Sequence, residues 1–148
     1  MKVSGIRGEV YLHITEDRER SFGWDRKKRR FEPGKEYKAI KNQRNRWSGH
    51  PITCGWGMHG SKNTLFFCPK LWSWVSVVRI WGDVDDHDPD KVAGRRRKYI
   101  ATRQIKTVNS QRMLKNLSCE GEGTKIAQWV LAKPYNGIIA AGYHPRKR

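Results

Sequence analysis

Cys54, His59, Cys68 and Cys119 have the strongest metal-binding chemistry in the sequence, and their spacing argues against a metal site. A structural zinc centre is built from ligand pairs such as C-x-x-C, and no such pair is present. Free thiols and no bound metal are therefore the expectation. Asp86, Asp88 and Asp90 open like a calcium loop, but Lys91 stands where the turn glycine belongs and Arg97 where the closing glutamate belongs. These aspartates are expected to pair with the basic block Arg95–Lys98, or to keep a strand edge from pairing with other chains. Asp83, Asp85 and Asp86 with Glu120 or Glu122 would serve a metal-dependent nuclease only if the fold brought them together. Ser61 lies close to His59, but no nucleophile elbow surrounds it.

The basic residues are the larger signal. The chain has 148 residues and a formal net charge of +17. Residues 18–47 hold twelve basic against four acidic side chains, and 91–148 hold fourteen against two, whereas 48–90 hold three against five. Two cationic blocks thus flank a near-neutral centre, which points to a polyanionic partner. The expected phosphate contacts are Arg26, Lys27, Lys28, Arg29 and Arg30, then Arg44 and Arg46, then Arg95, Arg96, Arg97 and Lys98. Trp24 and Trp47 lie among them and could stack on bases. Contacts of this kind neutralise phosphates without reading sequence. The ligand could be DNA, RNA or an acidic protein.

Those residues need elements to hold them. The run from Trp72 to Val84 is β-branched, aromatic and free of proline, and reads as one strand with both faces covered. Its alternation puts Trp72, Trp74, Ser76, Val78 and Ile80 on one face and Ser73, Val75, Val77, Arg79 and Trp81 on the other. An acidic turn, Asp85–Asp90, leads to a basic return ending in Tyr99-Ile100-Ala101, which predicts an antiparallel pair. Glu9–Thr15 reads as a strand with Val10, Leu12 and Ile14 on one face and Tyr11 and His13 on the other. Pro33-Gly34 is a turn, and a short strand over Glu36–Lys41 follows it with Tyr37 and Ala39 inward, or Ile40 on the other face. Ser61 is expected to cap a short helix over Lys62–Phe67. A helix over Ser110–Leu117 would bury Met113, Leu114 and Leu117. Thr124 would cap a second over Lys125–Lys133, with Ile126, Trp129, Val130 and Lys133 on a common face. Ile138–Ala141 reads as a closing strand.

The expected fold is α+β: a mainly antiparallel twisted sheet with one or two packed helices. It forms a single domain over 1–143, with a basic loop at 16–31 and a disordered basic tail at 144–148. Seven Trp offset a modest 36% hydrophobic content. Three Cys, no secretory leader and no apolar run near the roughly 18 residues of a membrane span point to a reducing cytoplasm and no membrane.

Three segments in order, Pro33-Gly34-Lys35-Glu36-Tyr37, Cys54-Gly55-Trp56-Gly57-Met58-His59 and Val78–Val84 with Asp90–Ile100, resemble an uncharacterised domain common in bacteriophage genomes. The resemblance covers roughly residues 31–105 and implies phage origin, hence action in the host bacterial cytoplasm and a role in host takeover or anti-defence. It implies no chemistry. A looser likeness is to ADP-ribosyltransferases. In that reading His13 holds the nicotinamide nucleotide, Ser61 follows it, and Glu120 or Glu122 polarises the ribose. Without that enzyme, no catalytic residue and no cofactor is expected, and His13 and His59 are structural.

Overall fold

The computed structural model describes residues 1–15, 33–39, 50–53, 57–66 and 68–140. Strands β1 (Tyr11–Thr15), β2 (Glu36–Lys38), β3 (Met58–Ser61), β4 (Trp74–Trp81), β5 (Lys91–Gly94) and β6 (Arg96–Gln104) form one antiparallel sheet in the order β2-β6-β4-β1-β3-β5. Helices α1 (Val108–Cys119) and α2 (Gly123–Ala132) follow, then a 3-10 turn at Tyr135–Gly137. This is the expected α+β architecture.

Strand alternation sorts the side chains onto two faces. Leu12 and Ile14 of β1 lie opposite Val77 and Val75 of β4, and partners directly opposite share a face. The helices cover this face, where Leu114, Ile126, Ala127 and Val130 pack on Val10, Leu12, Val75, Val77 and Ile105. Tyr11 and His13 lie opposite Val78 and Ser76 on the other face. A β-bulge between Val77 and Val78 leaves Ile100 between paired neighbours, and Ile100 joins the helix-side core.

The second face closes on itself because the sheet curls. Asp85 and Ala93 exchange two backbone hydrogen bonds, 2.8 and 3.0 Å, and the Arg95 amide donates to Gly82 O at 2.8 Å. The end strand β5 is thereby tied back to the end of β4. The closure requires glycine: a Cβ at Gly94 would meet Ile80 Cγ2 at 2.6 Å and Trp81 O at 2.9 Å, and one at Gly60 would meet Ile80 Cδ1 at 2.6 Å. Inside the curl, Tyr37, Val78, Ile80, Val92 and Tyr99 form a second core with Tyr11 and Met58 against it.

Several expected boundaries move. The long strand begins at Trp74 and ends at Trp81, and Trp72 lies in the turn before it. The basic return is two strands: β5 leaves to pair with β3, and only β6 pairs with β4. Ser61 ends a strand instead of capping a helix; residues 62–66 make bends, and the Ser61 hydroxyl accepts from the Phe66 amide at 3.2 Å. Thr107 caps α1, accepting from Ser110 N at 3.0 Å, so the helix starts earlier than the apolar pattern suggests. Met113 is exposed, being on the solvent side of α1. Glu122, not Thr124, is the N-cap of α2, and Lys133 is exposed at its C-cap. Residues 138–140 form no strand, although the Ala140 amide donates to Ile100 O at 2.8 Å.

Candidate nucleic-acid interface

The period of two along β6 divides its basic block. Arg96 lies opposite Trp81 of β4 and Lys38 of β2; Lys98 lies opposite Arg79 and Glu36. These six side chains share one face of three adjacent strands, beyond the part the helices cover. Cross-strand neighbours stand roughly 5 Å apart, so the cations form a tight cluster. Lys38 is exposed, Arg79, Arg96 and Lys98 are half-buried, and Trp81 is 37% exposed beside them. Glu36 is the acid within the cluster, 3.3 Å from Arg96 Nη1. Two pairs, Arg79 with Lys98 and Lys38 with Arg96, put like charges directly opposite each other, which destabilises a sheet.

Arg97 points the other way and is fully buried, so it makes no surface phosphate contact. This corrects the expectation of four consecutive phosphate ligands. Its Nη1 donates to His59 O at 2.8 Å, and its guanidinium lies 5.4 Å from the centre of the Tyr99 ring. Burial lowers its pKa, opposed by the neighbouring Tyr99 and Tyr37. Arg95, at the β5–β6 junction, reaches Asp83 at 3.3 Å.

The interior around Arg97 is polar. Tyr99 Oη and His13 Nδ1 share a hydrogen bond of 2.9 Å, and Tyr37 meets the Tyr99 ring edge-on with centroids 5.5 Å apart. Burial, then Arg97, then His59 hold the His13 pKa well below its ordinary value, so the ring is neutral. Burial pushes the Tyr99 hydroxyl up.

Asp83, just before the acidic turn, pairs with Arg95 of the basic block. Asp83 also binds His50 at 2.5 Å; that bond, foremost, and Arg95 lower its pKa. Asp85 bonds His87 and accepts from the Thr53 amide at 2.9 Å, and the two hold its carboxyl down at about 2. Lys62 Nζ ties the turn from inside, donating to the carbonyls of Asp86 and Asp88 at 2.7 and 2.6 Å.

The residues of the transferase reading do not converge. Ser61 lies opposite Leu12 and shares its helix-side face, while His13, the next residue on β1, faces the curl. Glu122 caps α2 on the helix side, where a Cβ at Gly123 would meet Asn63 Cα at 2.7 Å. Glu120 is the C-cap of α1 and is exposed on that same turn. The sheet therefore stands between His13 and the other three. Among the described residues no group of three or more His, Cys, Asp or Glu could hold a metal ion; Cys68 and Cys119 are exposed free thiols. His59 Nδ1 lies 3.0 Å from Gly57 O. Cys54, Trp24, Arg26, Lys27, Lys28, Arg29, Arg30, Arg44, Arg46, Trp47 and the tail 144–148 lie outside the described residues.

Sequence reasoning missed Lys38 and Arg79 as members of the cationic face, and Trp81 as its aromatic. Their signal was the strand period: Arg79 and Trp81 alternate together, but only pairing with β6 shows which cations stand next to them. Compared with known proteins, the chain matches no family model, no curated protein and no solved structure.

Proposed function

We propose that this protein binds nucleic acid through the exposed face of β2, β6 and β4, with Lys38, Arg79, Arg96 and Lys98 neutralising phosphates and Trp81 offering a ring to a base. One observation carries the reading: two cross-strand pairs of like charge are kept side by side on one face, with Glu36 the single acid among these six side chains. An anionic ligand relieves that repulsion, and the desolvated stems of long basic side chains leave the charges facing outward. The overall charge of +17 supports the same class of partner. The phage setting expected from the resemblance gives such binding a place in host takeover or anti-defence, in the bacterial cytoplasm. The test is a gel-shift panel of duplex DNA, single-stranded DNA, RNA and heparin with the wild type and with Arg96→Glu/Lys98→Glu. Retention of all four by the wild type and loss by the variant is expected. Equal retention by both, or capture of an acidic protein in place of every nucleic acid, would overturn the reading.

A further inference from the structure

Trp72 is 59% exposed and has φ 72°. That left-handed region crowds Cβ against the backbone; glycine enters it freely, Asn and Asp tolerate it, and a bulky residue there is an outlier. The Ser73 amide donates to Lys70 O at 3.1 Å, closing a turn whose third residue is Trp72, the position that turns with positive φ reserve for glycine. Neighbours enforce the conformation. Trp72 N donates to Ile105 O at 2.7 Å, Ile105 N donates to Ser73 O at 2.8 Å, and Gln104 Nε2 donates to Trp72 O at 3.1 Å. From α1, Gln111 Nε2 holds Pro69 O at 3.2 Å. The backbone is thus locked while the ring it carries stays in water. Strain held without burial points to a role outside the fold.

The surroundings say what the ring meets. Leu71, also exposed, precedes it, and Lys106 follows the Ile105 carbonyl that holds the Trp72 amide. Residues 68–73 and 103–118 contain no Asp or Glu and carry Lys70, Arg103, Lys106, Arg112 and Lys115. A flat apolar ring carried between these two basic, acid-free segments complements a ligand that alternates flat faces with negative charge. Duplex bases are stacked on one another and offer no free face; unpaired bases do.

We infer that Trp72 is a base-stacking contact for single-stranded nucleic acid, with Lys70 and Lys106 beside it for the phosphates. The inference rests on the nucleic-acid reading and adds the strandedness of the ligand. It separates from that reading because Trp72 and the Arg96–Lys98 face lie at opposite ends of β4.

The experiment uses the full chain with Trp72→Gly and Trp72→Phe, a labelled oligo-dT, a labelled duplex and vesicles of anionic phospholipid. Trp72→Gly relieves the strain, so its Tm is expected to equal or exceed that of the wild type. Its oligo-dT affinity should fall roughly tenfold, within the range for loss of one stacked base, while duplex affinity holds. Trp72→Phe, which keeps a ring, should restore most of the oligo-dT affinity. Unchanged oligo-dT affinity in a folded Trp72→Gly would overturn the inference and leave the Arg96–Lys98 reading standing. A lowered Tm with equal loss on both probes would make Trp72 structural. Vesicle binding that Trp72→Gly abolishes, with oligo-dT binding intact, would make the turn a membrane contact. Failure of the wild type to bind any nucleic acid would remove both readings together.

Discussion

Arg96, Arg97 and Lys98 are chemically alike and consecutive, yet they have opposite consequences. Lys98 stands between Glu36 and Arg79 on an open face, so Lys98→Glu makes the pair with Arg79 attractive and the pair with Glu36 repulsive, and the two changes offset each other. The variant's stability should stay within about 0.5 kcal/mol of the wild type while nucleic-acid binding weakens. Arg97→Glu instead places a carboxylate in the interior next to Tyr99 and removes the hydrogen bond to His59 O. It should destabilise by more than about 3 kcal/mol, the scale of an uncompensated buried charge. Urea unfolding of the two variants checks the contrast, and similar midpoints would refute the assignment of faces. His13 belongs to the same interior. Its folded pKa is depressed below the unfolded value near 6.5, so the unfolded chain binds the proton first. The stability it contributes is present above about pH 6.5 and is lost as pH falls below that value toward the lowered folded pKa. His59, also depressed by burial, acts in the same direction, whereas the raised pKa of exposed His87 acts in the opposite one. His13→Gln, which keeps a partner for Tyr99 and cannot be charged, should flatten part of the decline in urea midpoint between pH 7 and pH 5. An unaltered slope would mean that His13 does not titrate on unfolding.

At the scale of elements, the curl is what makes an interior for Arg97, Tyr99 and His13. It depends on close approach of β5 to the end of β4 at Gly94. Gly94→Ala would push a methyl into Ile80 Cγ2 and the Trp81 carbonyl, and backbone cannot retreat as a flexible side chain can. A loss of about 1–3 kcal/mol is expected, as for an overpacked core. Gly121 also has positive φ but has open space around it, so Gly121→Ala should be milder, with only the conformational cost near 1 kcal/mol. Thermal melts of the two variants rank them; a milder Gly94→Ala would mean the sheet end opens easily. The helices matter to the site by what they leave uncovered. α1 and α2 pack on the end of the sheet carrying Val75, Val77 and Ile105, and neither helix covers the end carrying Arg96 and Lys98.

For the whole molecule, the proposed binding is electrostatic and its salt dependence is the test. On duplex DNA the logarithm of the binding constant falls with the logarithm of salt by about 0.9 per phosphate neutralised. Lys38, Arg79, Arg96 and Lys98 together imply a slope of roughly −3.6 or steeper. Arg96→Glu/Lys98→Glu should reduce its magnitude by about two. Fluorescence titrations from low to physiological salt measure both, and a flat response would exclude an electrostatic mode.

The alternation of single strands was legible in the sequence because it depends on local periodicity alone. Val10, Leu12 and Ile14 take one face, Tyr11 and His13 the other, and Tyr37 points inward as its pattern implies. The antiparallel return of Tyr99-Ile100-Ala101 onto the Val75–Ile80 strand was legible for the same reason. Composition alone determined the strong positive charge, hence the class of partner worth testing. What local pattern does not contain is pairing between distant segments. The departure of β5 to the sheet edge, where β3 captures it, depends on contacts more than twenty residues apart. So does the curl, which turned a run of four basic residues into two cations on the open face, Arg96 and Lys98, one interior cation, Arg97, and one at the strand junction beside Asp83, Arg95. Trp72 shows the same limit on a smaller scale: its strand-forming side chain fits the pattern that follows, but its amide's hydrogen bond to the Ile105 carbonyl and the one its own carbonyl accepts from Gln104 hold a left-handed turn that no neighbouring residue announces. Strand period decides which side a residue faces; only tertiary pairing decides what lies on that side.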